Sequence, residues 1–378
     1  MAPPRLLVNI VMAAVTIGVS VTQSDSMSFG VPRRQARLFS GFDILQFEHT
    51  PCKYDSRRNG TCMQGAECTA AGGDFNTTNT CNFIQGQTFG VCCLVSRSCG
   101  GVIQTNNSYF VNPEFPDFTV NSQSCDVTVI PKRGTCYVRL QFDNFTIHDP
   151  VEGSCVADQF FVPQAEIEAP MLCGRNNDTH MYLYVKDFGE KQNITLRFNL
   201  GEWNGDRKWQ INVAFIECNK DWTPGDRSCM QYFMERTDTI RSFNYHQHDP
   251  EKSAMLAGLD YTVCVRQALR RCYISWTSEF FSLSAGNKTT EVGGTCNQNY
   301  VIINQGFDSK KRVSFDRYCG QVLGANNNSS KASAVLSSAR PYHLRVRTST
   351  NSTSLGKGFL MRYSQLQCLN KWVITHHD

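Results

Sequence analysis

The sequence predicts an all-β protein: two antiparallel sandwiches in tandem, behind a small module held together by disulfides. Three observations predict it. Eighteen cysteines fall into three consecutive runs of six, each run closing an even count. Short apolar/polar alternations recur with Gly, Pro and Asn between them, and no period of 3.6 is sustained anywhere. The second and third cysteine runs also repeat one another's spacing. An even, clustered cysteine set persists as disulfides only in an oxidising compartment, so the protein is expected to be secreted and extracellular.

The amino terminus agrees with that compartment. Arg5 precedes an apolar stretch from Leu6 to Val21, and Gly18, Val19 and Ser20 are the small residues a signal peptidase reads, so residues 1–20 are expected to be a signal peptide cleaved after Ser20. A membrane anchor is the alternative, but Asn9 and Thr16 interrupt the stretch and polar rather than basic residues follow it. No other segment approaches the roughly 18 to 20 apolar residues of a spanning helix, so no membrane span is expected. Residues 21–50 lack cysteine and read as a linker or propeptide; Arg33-Arg34-Gln35-Ala36-Arg37 carries the Arg-x-x-Arg spacing for cleavage after Arg37, with a solvated basic linker as the other reading. Ten Asn-x-Ser/Thr sequons, at Asn59, Asn76, Asn106, Asn144, Asn177, Asn193, Asn287, Asn327, Asn328 and Asn351, fit a glycoprotein. A formal charge of +4 is too mild to imply a nucleic-acid partner, and no Lys/Arg stripe is interleaved with aromatics.

Residues 51–96 place six cysteines in a span too short to bury a sufficient core, so bridges must supply the stability. Residues 97–220 and 221–370 form the internal repeat, followed by a tail at 371–378. The strand openings Thr135-Cys136-Tyr137-Val138 and Arg271-Cys272-Tyr273-Ile274 correspond, as do Leu172-Cys173-Gly174 with Tyr318-Cys319-Gly320 and Glu217-Cys218 with Gln367-Cys368. Cys136, Val138, Leu140 and Phe142 alternate with Tyr137, Arg139, Gln141 and Asp143, the pattern of a strand with one buried face. Ile194, Leu196, Phe198 and Leu200 do the same, as do Ile211, Val213 and Phe215, and Phe359, Met361 and Tyr363 in the second copy. Helix is expected to be scarce.

The repeat resembles the CUB domain, an extracellular jelly-roll sandwich. Cys99-Gly100-Gly101 with Cys125, Asn112-Pro113 with Phe115-Pro116, Cys155-Val156-Ala157-Asp158 and Cys173-Gly174 carry the resemblance. The second copy has Asn299 where the Asp would stand, Cys319-Gly320, and Gly358-Phe359 with Tyr363, but no Cys-Gly-Gly start. The resemblance implies the pairs Cys99–Cys125 and Cys155–Cys173, then Cys229–Cys264 and Cys296–Cys319. It leaves Cys136 with Cys218 and Cys272 with Cys368 to tie an early strand to the last. The first module resembles a clip-type knot in its spacing and its Gly90-Val91-Cys92-Cys93 ending, which implies Cys52–Cys92, Cys62–Cys81 and Cys68–Cys93. A clip-like knot ahead of two CUB-like copies is similar to a family of secreted arthropod proteins.

Catalysis is not expected. There is no Gly-Asp-Ser-Gly-Gly, no Ala-Ala-His-Cys and no His-Glu-x-x-His, and with every cysteine paired none remains as a nucleophile. His246-Gln247-His248-Asp249 and His376-His377-Asp378 read as loop and tail residues rather than metal sites. Calcium is the one cofactor the resemblance brings in, because the hard ion takes several carboxylate oxygens at one sandwich end. Asp158 matches the central acid, Asp206 would be the last, and either Asp149 or Glu152 would precede; the alternative is that Asp158 only caps or hydrogen-bonds a loop. The function expected is non-enzymatic binding of another extracellular protein through the CUB-like copies, with a basic residue of the partner docking near Asp158. The alternatives are a regulatory component of an extracellular protease cascade acting through the knot, and carbohydrate binding by Trp203, Trp209 or Trp222.

Overall fold

The computed structural model describes residues 49–81, 90–120, 122–165, 169–186, 193–218, 224, 226–286, 288–308, 314–350 and 352–368. The chain divides into Met1–Gln46 and Phe47–Asp378. The expected signal peptide with Ser20, the linker up to residue 48 with Arg37, and the tail with His376 and His377 lie outside the described residues, as do Trp222, Asn287 and Asn351; the linker expected to run to residue 50 stops short of Thr50, which already opens the first strand.

The first module is a four-stranded antiparallel sheet in the order Thr50–Lys53, Asn59–Met63, Gly90–Cys93, Thr80–Cys81, with one short helix, Gly65–Ala70. Its bridges are Cys52–Cys92, Cys62–Cys81 and Cys68–Cys93, and its apolar core is little more than Met63, Val95 and the sulfurs of Cys68 and Cys93. The next strand, Ser96–Arg97, already belongs to the first sandwich, so the module ends at Val95 rather than at residue 96.

That sandwich faces a sheet ordered Asp158–Phe161, Ile194–Leu200, Cys125–Val129, Val102–Ile103 against one ordered Thr179–Tyr184, Thr135–Thr146, Lys208–Glu217, Ser108–Val111, Ser96–Arg97. Period 2 puts one side of each strand inward. Ile194, Leu196, Phe198, Val138, Leu140, Phe142, Ile211 and Val213 are all fully buried, and Phe198 stacks on Trp209 at 4.2 Å between ring centroids.

The second copy repeats the order. Tyr300–Phe307, Tyr342–Arg347, Asp260–Val265 and Cys229–Phe233 form one layer; Val335–Ser337, Arg271–Ser284, Leu355–Gln367 and Thr237–Arg241 form the other. Even the parallel pair recurs, Val102–Ile103 beside Cys125–Val129 and Cys229–Phe233 beside Asp260–Val265. The sequence predicts antiparallel pairs only; the parallel ones, which in the first copy also include Ser96–Arg97 beside Ser108–Val111, arise where a strand enters along an edge instead of through a hairpin. The two layers here are one continuous ten-stranded sheet. The strand Tyr300–Phe307 shifts register between Ile302 and Gly306, where Gln305 has φ of 51°, and Phe307 then pairs with Leu336 in the other layer. Strands Thr290–Val292 and Ser314–Gly320 are added at its side. The remaining six bridges are Cys99–Cys125, Cys136–Cys218, Cys155–Cys173, Cys229–Cys264, Cys272–Cys368 and Cys296–Cys319, so no cysteine is free.

The copies are not beads on a string. Tyr137, Tyr182 and Ile216 project from the outward face of the first sandwich, yet they are buried because Cys229, Tyr232 and Cys264 cover them. Loops seal the rest. Asn244 donates its N–H to Asn176 Oδ1 at 2.7 Å and accepts the Arg175 N–H on its own Oδ1 at 2.9 Å. Gly174 permits this approach: its φ is +73°, and a Cβ there would lie 2.0 Å from Asn244 Oδ1. Gly174→Ala is therefore expected to cost about 2 kcal/mol and to loosen the junction. X-ray scattering of the variant should show a larger radius of gyration; an unchanged curve would mean the junction does not depend on this loop.

Candidate functional site

Asp158 opens an edge strand, paired with Leu200, at one end of the first sandwich. Its side chain is fully buried against an equally buried Arg207. Arg207 Nε donates to Oδ2 at 2.7 Å and Nη2 to Oδ1 at 2.9 Å, while the N–H groups of His148 and Gly201 donate to Oδ2 at 2.9 Å and Oδ1 at 3.1 Å. The remaining guanidinium donors reach the carbonyls of Val120, Trp203 and Gly201 at 3.3, 3.1 and 2.7 Å. All five N–H donors of the arginine are thus engaged, and each carboxylate oxygen accepts two bonds.

This arrangement corrects the calcium expectation. A cation needs free carboxylate oxygens, and those of Asp158 are taken by donors, with a guanidinium held where the ion would sit. Asp206, Asp149 and Glu152 are exposed and do not converge on Asp158; Asp149 instead lies 3.8 Å from His246 Nε2 in the second copy. The residues do not fit calcium. The basic residue expected from a partner near Asp158 is likewise supplied by the chain itself. In the second copy Asn299 serves as a neutral brace: it donates to Ser354 O at 2.9 Å and Oγ at 3.0 Å, and it accepts the Ser349 N–H at 2.9 Å. Among the described residues the one gathered set of metal-capable donors is Cys229, Cys264 and His343, and those cysteines are bonded to each other.

The space that could receive a partner lies where the three modules meet, a cleft of about 870 Å³. Arg139, His180 and Tyr182 form its floor on the outward face of the first sandwich. Gln231 to Glu235, Asp238, Arg241 and Glu279 form the wall from the second copy, and Pro51, Asn106 and Asn107 close the far side. Four carboxylates, of Asp178, Glu235, Asp238 and Glu279, face two guanidinia, of Arg139 and Arg241, and Arg241 uses its own on Gln247 Oε1 and Asp178 O at 3.0 Å each. His180 is neutral: burial drives it down to about 3, and its Nε2 accepts the Tyr232 N–H at 3.1 Å.

Beside the cleft, burial pushes Asp143 up to about 6, with the Asp178 charge adding to the effect and Arg139 opposing it. An acid raised in the fold holds its proton more tightly there than when unfolded, so stability falls as pH rises from about 4 to about 6. Asp143→Asn is expected to remove that slope and to raise the melting temperature at pH 7.5. The gain is about 1 to 2 kcal/mol after discounting for partial exposure. Melts of both proteins from pH 4 to 7.5 check it; parallel curves throughout would reject it.

The other named residues are dispersed. Asn59, Asn76, Asn177, Asn193, Asn327 and Asn328 are exposed, while Asn106 and Asn144 are half-buried. Asn144 donates to Gln210 Oε1 at 3.1 Å, and Asn106 Oδ1 accepts the Phe215 N–H at 2.7 Å. Trp209 is core, and Trp203 lies under the Arg207 guanidinium, 5.1 Å from its centroid. His246 is buried at the junction. The cleft itself was not legible, because its residues come from three modules and no local spacing marks their meeting.

Fold and junction define a disulfide-stapled tandem of β-sandwiches. Residues 226–366 match the animal CUB domain, so the second sandwich carries the match although its copy lacks the Cys-Gly-Gly start. No curated protein matches the chain. Among solved structures, the CUB1-EGF-CUB2 domains of rat MASP-1 are similar at 13% identity, covering 72% of this chain and 99% of that one with a TM-score of 0.22. The CUB1-EGF-CUB2 domain of human MASP-1/3 is similar at 13% identity over 68% and 98%, with a TM-score of 0.24. The full extracellular region of zebrafish Gpr126/Adgrg6 is similar at 12% over 74% and 35%, with a TM-score of 0.27.

Proposed function

We propose that the chain is a secreted, non-enzymatic recognition protein that holds an extended, basic segment of another extracellular protein in the cleft between its modules. The carboxylate excess of that cleft supports the reading. Acid groups facing a groove lower the energy of a Lys- or Arg-bearing segment. Every cysteine is bonded and His180 is held neutral, so the cleft's charged lining is carboxylates and guanidinia, which suits recognition of a charged segment. The core position of Trp209 and the covered face of Trp203 argue against carbohydrate stacking at those residues.

Selection of displayed random peptides on the full chain tests the proposal. Enriched sequences should be basic, and Glu235→Lys with Asp238→Lys should weaken them at least about tenfold, since close charge pairs at an interface contribute about 1.5 kcal/mol or more. Enrichment without basic character, or binding indifferent to the reversed charges, would refute it.

A further inference from the structure

At the far end of the second sandwich, five arginines gather without a carboxylate partner. Arg236 lies beside the strand Thr237–Arg241, Arg266 to Arg270 form the loop between Asp260–Val265 and the strand that Arg271 opens, Arg271–Ser284, and Arg340 leads into Tyr342–Arg347. None of Arg236, Arg266, Arg270, Arg271 and Arg340 takes part in the ion pairs found among the described residues. The buried Gln365 gathers them: its Nε2 donates to Arg266 O at 2.9 Å and Glu235 O at 3.2 Å, its Oε1 accepts the Ala268 N–H at 2.8 Å, and its N–H donates to Arg236 O at 2.9 Å. Arg340 Nη2 reaches Arg271 O at 3.4 Å, drawing the third segment in.

The loop tip adds a second observation. Leu269 is 90% exposed, the largest exposure of any apolar side chain among the described residues, and it stands directly before Arg270 and Arg271. The turn carrying it is closed by the Arg271 N–H to Ala268 O at 3.2 Å, with Arg270 at φ of 60°. A leucine held out by a closed turn contributes nothing to the core. Like charges gathered without counter-ions repel, so the arrangement is favoured when anions meet it.

We propose that this loop cluster docks on an anionic lipid surface, Leu269 entering the acyl boundary while Arg266, Arg270, Arg271, Arg236 and Arg340 meet the headgroup phosphates. The exposed leucine selects a bilayer over a sulfated polysaccharide, which offers charge but no apolar layer to receive it. The inference is independent of the cleft.

Co-sedimentation of the full chain with phosphatidylcholine vesicles, with and without 30% phosphatidylserine, tests it. Binding should need the anionic lipid and vanish in 0.5 M salt. Arg270→Gln with Arg271→Gln should weaken it by about thirtyfold, from about a factor of five per basic side chain. Leu269→Ser should weaken it by about tenfold, from the lost apolar burial, without changing the melting temperature. Leu269→Trp should show a blue-shifted emission on the anionic vesicles alone. Absence of anionic-vesicle binding, binding indifferent to Leu269→Ser, or retention only on a heparin column would overturn it.

Discussion

Replacing Arg207 with methionine is expected to cost the first sandwich about 3 to 5 kcal/mol, the range for breaking a fully buried ion pair from one side. The carboxylate of Asp158 would keep only the N–H groups of His148 and Gly201, and the carbonyls of Val120 and Trp203 would lose their guanidinium donor. Asp158→Asn should be nearly as damaging, because it strands the guanidinium instead. The double variant Asp158→Leu with Arg207→Met removes both charges and should recover a large part of the loss. Urea unfolding followed by tryptophan emission reads all three. Calcium and chelator should leave the wild-type curve unchanged; a calcium-dependent shift abolished by Asp158→Ala would restore the metal to that site. A double variant no more stable than either single one would show that the pair is not the unit of stability.

The alternations in the sequence reported the strands because burial follows period 2 wherever a single face is covered, as at Ile194 to Leu200. The repeated cysteine spacing reported the two copies for the same kind of reason, since equivalent bridges must join equivalent strands. What local pattern cannot carry is contact between modules. Tyr137 and Tyr182 read as outward residues and are outward on their own sheet, but the second copy buries them. Asp158 is a different case, where the alternative of an acid that hydrogen-bonds a loop is the one its contacts match. A motif position identifies the acid and not its partner, and it is Arg207, next to the expected Asp206, that points inward. The signal was in plain sight: an arginine beside an expected metal ligand, two residues before a core tryptophan, follows the alternation inward along with Trp209 and Ile211. Asn299 in the second copy fits the same account, a neutral residue braced by neutral partners.

Removing the bridge Cys272–Cys368 is expected to cost more than removing any short-loop bridge. The linked residues are 96 apart in sequence, and Cys136–Cys218 spans 82, against 18 for Cys155–Cys173. Loop closure restricts the unfolded chain more the longer the loop, which gives about 4 to 5 kcal/mol for the two long bridges and about 3 for the short one. The two long bridges also differ from each other in surroundings. Cys136 lies in the apolar cluster beneath Tyr232 and Cys264, so its loss should loosen the junction as well as the first sandwich. Cys368 instead fastens the end of the long strand Leu355–Gln367, whose Gln365 holds the arginine loops together. The Cys272→Ser, Cys368→Ser variant should therefore lower the melting temperature of the second sandwich and increase protease cleavage within residues 266–271, leaving the Asp158 end intact. A Cys155/Cys173 double serine variant that melts below both long-loop variants would show that native-state contacts, and not chain entropy, set the worth of these bridges.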